Sequence, residues 1–120
     1  MDDVLKKALD FSNYRKTFAI QHKILKEKAD SRLTYGFNGG IFKIDRTLIT
    51  FVQMLEDKGR ISGVVLLDVN DTPIMIADLL SFKEDIFDRY FNTTYEYYEE
   101  YEKMKKNRNV ESLIKWVMVL

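Results

Sequence analysis

The run from Ser81 to Arg108 constrains this chain most, because it is patterned as one long helix and carries five of the seven tyrosines. Phe87, Tyr90, Thr94, Tyr97, Tyr101 and Met104 recur on alternating three- and four-residue steps, which places them on one helical stripe. Phe91 and Tyr98 widen that stripe. A helix of about 28 residues extends roughly 40 Å, further than a small sheet can cover. The stripe either covers the sheet or, where its distal half outreaches it, is free for another subunit. Tyrosine outnumbers leucine along the seam, and its apolar body with a hydroxyl that needs a partner suits half-wet contacts. The expected partner-binding set is Phe87, Tyr90, Tyr97, Tyr98, Tyr101 and Met104.

Upstream, Asp2 and Asp3 can cap a first helical stretch with Val4, Leu5, Ala8 and Leu9 as its apolar positions. Ser12 or Asn13 reads as a second cap, and whether Phe11–Asn13 kinks one helix or separates two stays open. Tyr14, Phe18, Gln21 and Leu25, flanked by Ile20 and Ile24, then form one face of a helix ending near Ala29. Two β-prone runs, Leu33–Phe37 and Ile41–Ile44, flank Asn38-Gly39-Gly40, a hairpin turn signal that rests on positive φ at the central residues. Asp45 caps a helix bearing Leu48, Phe51, Val52 and Leu55, and Gly59 stops it.

Ile61–Val69 reads as a strand whose continuous apolar run, Val64–Leu67, implies burial on both faces or a central place in the sheet. Asn70-Asp71 turns the chain and Pro73 opens the returning strand. Asp78 or Ser81 begins the long helix, with Ser81 and Glu84 at capping-box spacing. Asn109 ends it or caps a short helix, Val110–Leu120, carrying Leu113, Ile114, Trp116 and Val117. The expected fold is α+β: two β-hairpins forming a small antiparallel sheet packed by helices, with one long Tyr-rich C-terminal helix. It is expected as a single domain over 1–120, divided into an N-terminal helical segment (1–30), a hairpin–helix–hairpin (31–80) and the long and terminal helices (81–120).

Nineteen basic residues balance nineteen acidic ones, so no global field steers the chain to nucleic acid or an anionic membrane. There is no cysteine and one histidine, His22, which leaves no thiol chemistry and no cysteine- or histidine-rich metal site. His22 has no sequence-local partner and defaults to a surface or boundary role. Asn38-Gly39-Gly40 lacks the lysine–serine ending of a phosphate loop, and Asp68, Asn70 and Asp71 lack the glycine and distal glutamate of a calcium loop. Glu84, Asp85 and Asp88 have a spacing commonplace on solvated helix starts. The expectation is a non-enzymatic protein without cofactor or metal. No signal peptide or membrane span is read, so the expected location is the cytoplasm.

The basic cluster Lys103, Lys105, Lys106 and Arg108 is explained by the dipole at a helix C-terminus. As anion or nucleic-acid contacts these residues define the alternative, a small regulatory or nucleic-acid-binding protein, which the glutamates among the aromatics disfavour. Arg15, Lys16, Lys23, Lys26 and Lys28 oppose those glutamates in sign, so packing the second helical stretch against the long helix would pair unlike charges, within one chain or between copies.

Tyr14-Arg15-Lys16, Gly39-Gly40-Ile41-Phe42-Lys43, Val65-Leu66-Leu67-Asp68, Asn70-Asp71-Thr72-Pro73-Ile74 and Tyr97-Tyr98-Glu99-Glu100-Tyr101-Glu102-Lys103, in that order, resemble small prohead-core (head-morphogenesis) proteins of large contractile-tailed phages. The resemblance spans about Asn13 to Arg108. It implies a minor scaffold component of capsid assembly, without enzymatic activity and located in the virion interior. It also implies cleavage by a prohead protease, for which Leu25-Lys26-Glu27 fits the tripeptide. The compact, hairpin-bearing reading departs from the largely helical character such a scaffold implies.

Overall fold

A computed structural model describes residues 2–106. The described residues fall into two compact units, one made of 2–28 with 95–106 and the other Ala29–Thr94. The expected Val110–Leu120 helix, its Asn109 cap and Arg108 lie outside the described residues. The element order is α1 (Asp2–Arg32), β1 (Thr34–Phe37), β2 (Gly40–Lys43), α2 (Arg46–Asp57), β3 (Ser62–Leu67), β4 (Pro73–Asp78) and α3 (Leu79–Lys106).

α1 is one helix, with no break at Ser12 or Asn13, and it runs past Ala29 to Arg32. Serine and asparagine in a helix interior each cost only about 0.5 kcal/mol, too little to interrupt it. Asp2 and Asp3 in its first turn favour the helix start electrostatically.

In the hairpin unit, Ala29–Thr94, β1 and β2 pair antiparallel, with Asn38 and Gly39 at φ 52° and 83° as the turn requires. Asp45 caps α2, its Oδ1 accepting from the Leu48 N–H at 2.8 Å. Gly59, at φ +75°, ends that helix in a Schellman motif: its N–H donates to Glu56 O at 2.9 Å, and the Arg60 N–H to Leu55 O at 2.8 Å. Asp78 caps α3 through the Ser81 N–H at 3.2 Å. The expected capping box at Ser81 and Glu84 is thus displaced, since Ser81 already lies inside the first turn.

The fold is α+β with two antiparallel hairpins, as expected, but the hairpins remain two separate two-stranded sheets. The free edge of β2 meets the turn after β3 instead of another strand. The Ile41 N–H donates to Asp68 Oδ2, and Ile41 O accepts from the Val69 N–H, both at 2.9 Å. Asp68 Oδ1 accepts from the Asn70 and Thr72 N–H groups, also at 2.9 Å. The amides of Ile41 and Thr72, and then that of Asn70, hold this carboxyl below the usual carboxylate range against an opposing effect of burial.

β3 departs from its expected burial. Val64 and Leu66 face inward opposite Ile76 and Ile74, while Val65 and Leu67 face outward opposite Met75 and Pro73. A two-stranded hairpin packed on one side has an open face, which a continuous apolar run in sequence does not reveal. The core within comprises Phe42, Ile44, Val52, Ile76, Phe82 and Ile86 with their neighbours. Phe82 is its hub, meeting Phe37 and Phe42 edge-on at 5.3 and 5.4 Å and Tyr35 at 6.0 Å. A Cβ at Gly40 would lie 2.6 Å from Ile74 Cγ1, so only glycine lets β2 approach β4 there. The Lys83–Glu56 ion pair ties α3 to α2.

Candidate interaction surface

In the terminal unit the distal part of α3 packs on α1. Phe18 meets Tyr101 edge-on at 6.1 Å, and Tyr97 stacks on Tyr101 at 6.4 Å. His22 lies 5.1 Å from the Tyr101 ring, and its Nε2 is hydrogen-bonded to the Tyr97 hydroxyl at 2.6 Å. Leu25 and Met104 are buried in the same cluster, beside Tyr14. Lys28 Nζ donates to Glu100 Oε1 at 3.0 Å, a pairing of basic α1 with acidic α3. At that exposure such a pair orients more than it stabilises. Gln21 Oε1 is buried without a hydrogen-bond partner among the described residues, a cost of about 1–3 kcal/mol.

The expected contact set is therefore split. Met104 is fully buried, and Tyr97 and Tyr101 are half-buried against α1, so these three are spent on internal packing. Tyr90 packs on the core of the hairpin unit, and Phe87 is half-buried, stacked on Phe91 at 5.8 Å. Tyr98 stands exposed, as does Tyr95, which was outside the expected set. The distal part of the seam, Tyr97, Tyr101 and Met104, packs on the chain's own first helix, while Tyr90 packs on the hairpin core.

The basic cluster is only partly bare. Lys105 pairs with Glu102 at 3.3 Å and lies 5.7 Å from the Tyr101 ring, while Lys103 and Lys106 are exposed in the last turn. Leu25-Lys26-Glu27 sits in an unbroken stretch of α1, with Leu25 buried.

Three arrangements escaped the sequence reading. Val4, Phe11, Phe18 and Leu25 recur every seven residues, a spacing visible in the chain itself. Phe18 and Leu25 pack internally, whereas Val4 and Phe11 are 72% and 62% exposed, and every described residue from 2 to 13 is exposed. The outward positions of the second hairpin, Gly63, Val65, Leu67, Pro73, Met75 and Ala77, are all exposed and none carries a polar side chain. Such a face ordinarily alternates apolar-in with polar-out. Finally, the Tyr35 hydroxyl donates to Asp85 Oδ2 at 3.2 Å beneath the Arg89 guanidinium, 4.5 Å from its ring. Partial burial, then the Asp85 charge and the bond to it, raise the Tyr35 phenol above its ordinary value. That disfavours the phenolate near neutral pH. Neither this group nor the His22–Tyr97 pair had any local signal, because the partners are 50 and 75 residues apart.

Among the described residues no group of three or more histidine, aspartate and glutamate side chains is placed to hold a metal ion. No helix there is long and apolar enough to cross a membrane. No family model, curated protein or solved structure matches the chain. The viral structural role implied by the resemblance, prohead core and capsid assembly in a bacteriophage, is accordingly corrected: no match ties the chain to a viral protein, and the hairpin unit departs from a largely helical scaffold.

Proposed function

We propose that the chain is a non-enzymatic interaction protein that receives a helix of a protein partner along the first three turns of α1. The observation that carries this is the seven-residue seam of Val4, Phe11, Phe18 and Leu25, whose second half is packed and whose first half is bare. An uncovered helix of about twelve residues is marginal in water, because nucleation is costly and most helical stability comes from tertiary packing. Covering Val4 and Phe11 would contribute about 2–4 kcal/mol. Leu5 and Leu9, also exposed, flank the seam and widen the apolar face.

The test compares the wild type with Val4→Glu/Phe11→Glu, both checked for folding by circular dichroism. Each is tagged, exposed to lysate of the native host and analysed by mass spectrometry of the retained proteins. The expected result is a partner retained by the wild type and lost by the double variant. A wild type that retains nothing, or a complex that survives the double substitution, refutes the reading.

A further inference from the structure

We infer that the outward face of the β3–β4 hairpin is a self-association surface, on which a second copy of the chain docks face to face. The face is continuous because the register sets Val65 directly opposite Met75 and Leu67 opposite Pro73, so their side chains stand together on one side. Leu67 is 62% exposed, Val69 56%, Met75 53% and Val65 52%. Beside them α2 contributes Phe51, which with Leu67, Val69, Phe42 and Leu48 lines a cleft of about 320 Å³. The cleft offers a socket for an apolar side chain from the facing copy.

Two properties single out a second copy as the occupant. The first is charge. A two-fold axis sets each patch against itself, so any net charge on the patch meets its like. Here the outward strand positions carry no charge at all. Lys43, Asp45 and Asp68 line the cleft beside them; Asp68 has both oxygens bound to amides and Asp45 Oδ1 accepts from the Leu48 N–H. The strand positions therefore meet their own copy without like charges in contact. The second is area. Val65, Leu67, Val69, Met75 and Phe51 together expose on the order of 500 Å² of apolar surface, in the upper range for the largest patch of a monomer. Two such faces would bury about 1,000 Å², the lower bound for a specific interface. A weak, concentration-dependent dimer follows from that size.

This contact is separate from the α1 surface, and sedimentation equilibrium between about 5 and 500 μM tells them apart. Wild type should move from monomer to twice that mass across the range. Leu67→Glu and Met75→Glu, at exposed positions, should keep the wild-type melting temperature and stay monomeric throughout, a loss of association of at least tenfold. Val65→Thr, a milder change on the same face, should weaken the dimer without abolishing it. A wild type that stays monomeric at 500 μM overturns the inference. So does a dimer that Leu67→Glu and Met75→Glu both retain, or one that only Phe11→Glu abolishes; the last result would leave the α1 reading standing.

Discussion

Replacing Phe82 with alanine removes the ring on which three other aromatics converge. Phe82 is 1% exposed, so the substitution deletes a fully buried phenyl ring and leaves a cavity, at about 3–5 kcal/mol for this class of change. A gentler variant separates volume from geometry. Phe82→Leu keeps most of the buried area but loses the edge-on contacts to Phe37 and Phe42, at interplanar angles of 69° and 70°. Two such contacts, at about 0.5–1.5 kcal/mol each, put that cost at about 1–3 kcal/mol. A unit the size of 29–94 has about 3–10 kcal/mol of stability to lose. Alanine should therefore bring it to the edge of unfolding at 25 °C, and leucine should leave it folded but weakened. Urea titration followed by far-ultraviolet circular dichroism reads both. A double-mutant cycle of Phe82→Leu with Phe37→Leu should give a coupling of about 0.5–1.5 kcal/mol. An alanine variant destabilised by less than about 1 kcal/mol, well below the usual cost of a buried aromatic, would refute Phe82 as the hub of a packed core.

Two further outcomes follow from the link between the hairpins. The Asp68 carboxyl is held below its unfolded value, so its contribution is complete above about pH 4 and drains away as pH falls through the folded value. Asp68→Asn should lower the melting temperature at pH 7 and converge with wild type in acid; a gap that is constant from pH 7 to pH 2.5 would exclude this assignment. Gly40→Ala should cost about 1–3 kcal/mol by overpacking, because its Cβ would meet Ile74 Cγ1 at 2.6 Å. Chemical denaturation checks it, and an unchanged midpoint would mean that β2 and β4 do not approach as described.

What could be read from the sequence was local. Asp45, Gly59 and the Asn38-Gly39 turn act through bonds to residues only a few positions away, and each appears where its chemistry placed it. The seam of α3 was legible as a periodicity, but periodicity names a face and not its partner. Tyr97 and Tyr101 meet α1 through contacts some eighty residues apart in sequence, which no local rule encodes. The run Val64–Leu67 was misread for a related reason. Four apolar residues look the same whether a second layer covers them or not, and here none of the described residues covers Val65 and Leu67. Asp78 displaced Ser81 as the cap because both have the right chemistry, and the end of β4 decided between them.

The Asp68 turn also acts as a splint of fixed length. Its carboxylate is clamped on one oxygen by Asn70 and Thr72 and on the other by Ile41, so its span is measured against two anchors at once. Surface turns ordinarily absorb insertions freely. One residue added between Asp68 and Thr72 would pull the carboxylate off one anchor or the other, parting hairpins that no strand ladder joins. This pentapeptide is therefore the poorest place in the hairpin unit to graft an epitope or tag. The turn from Lys58 to Arg60, whose backbone bonds run back only to its own helix, is the better one.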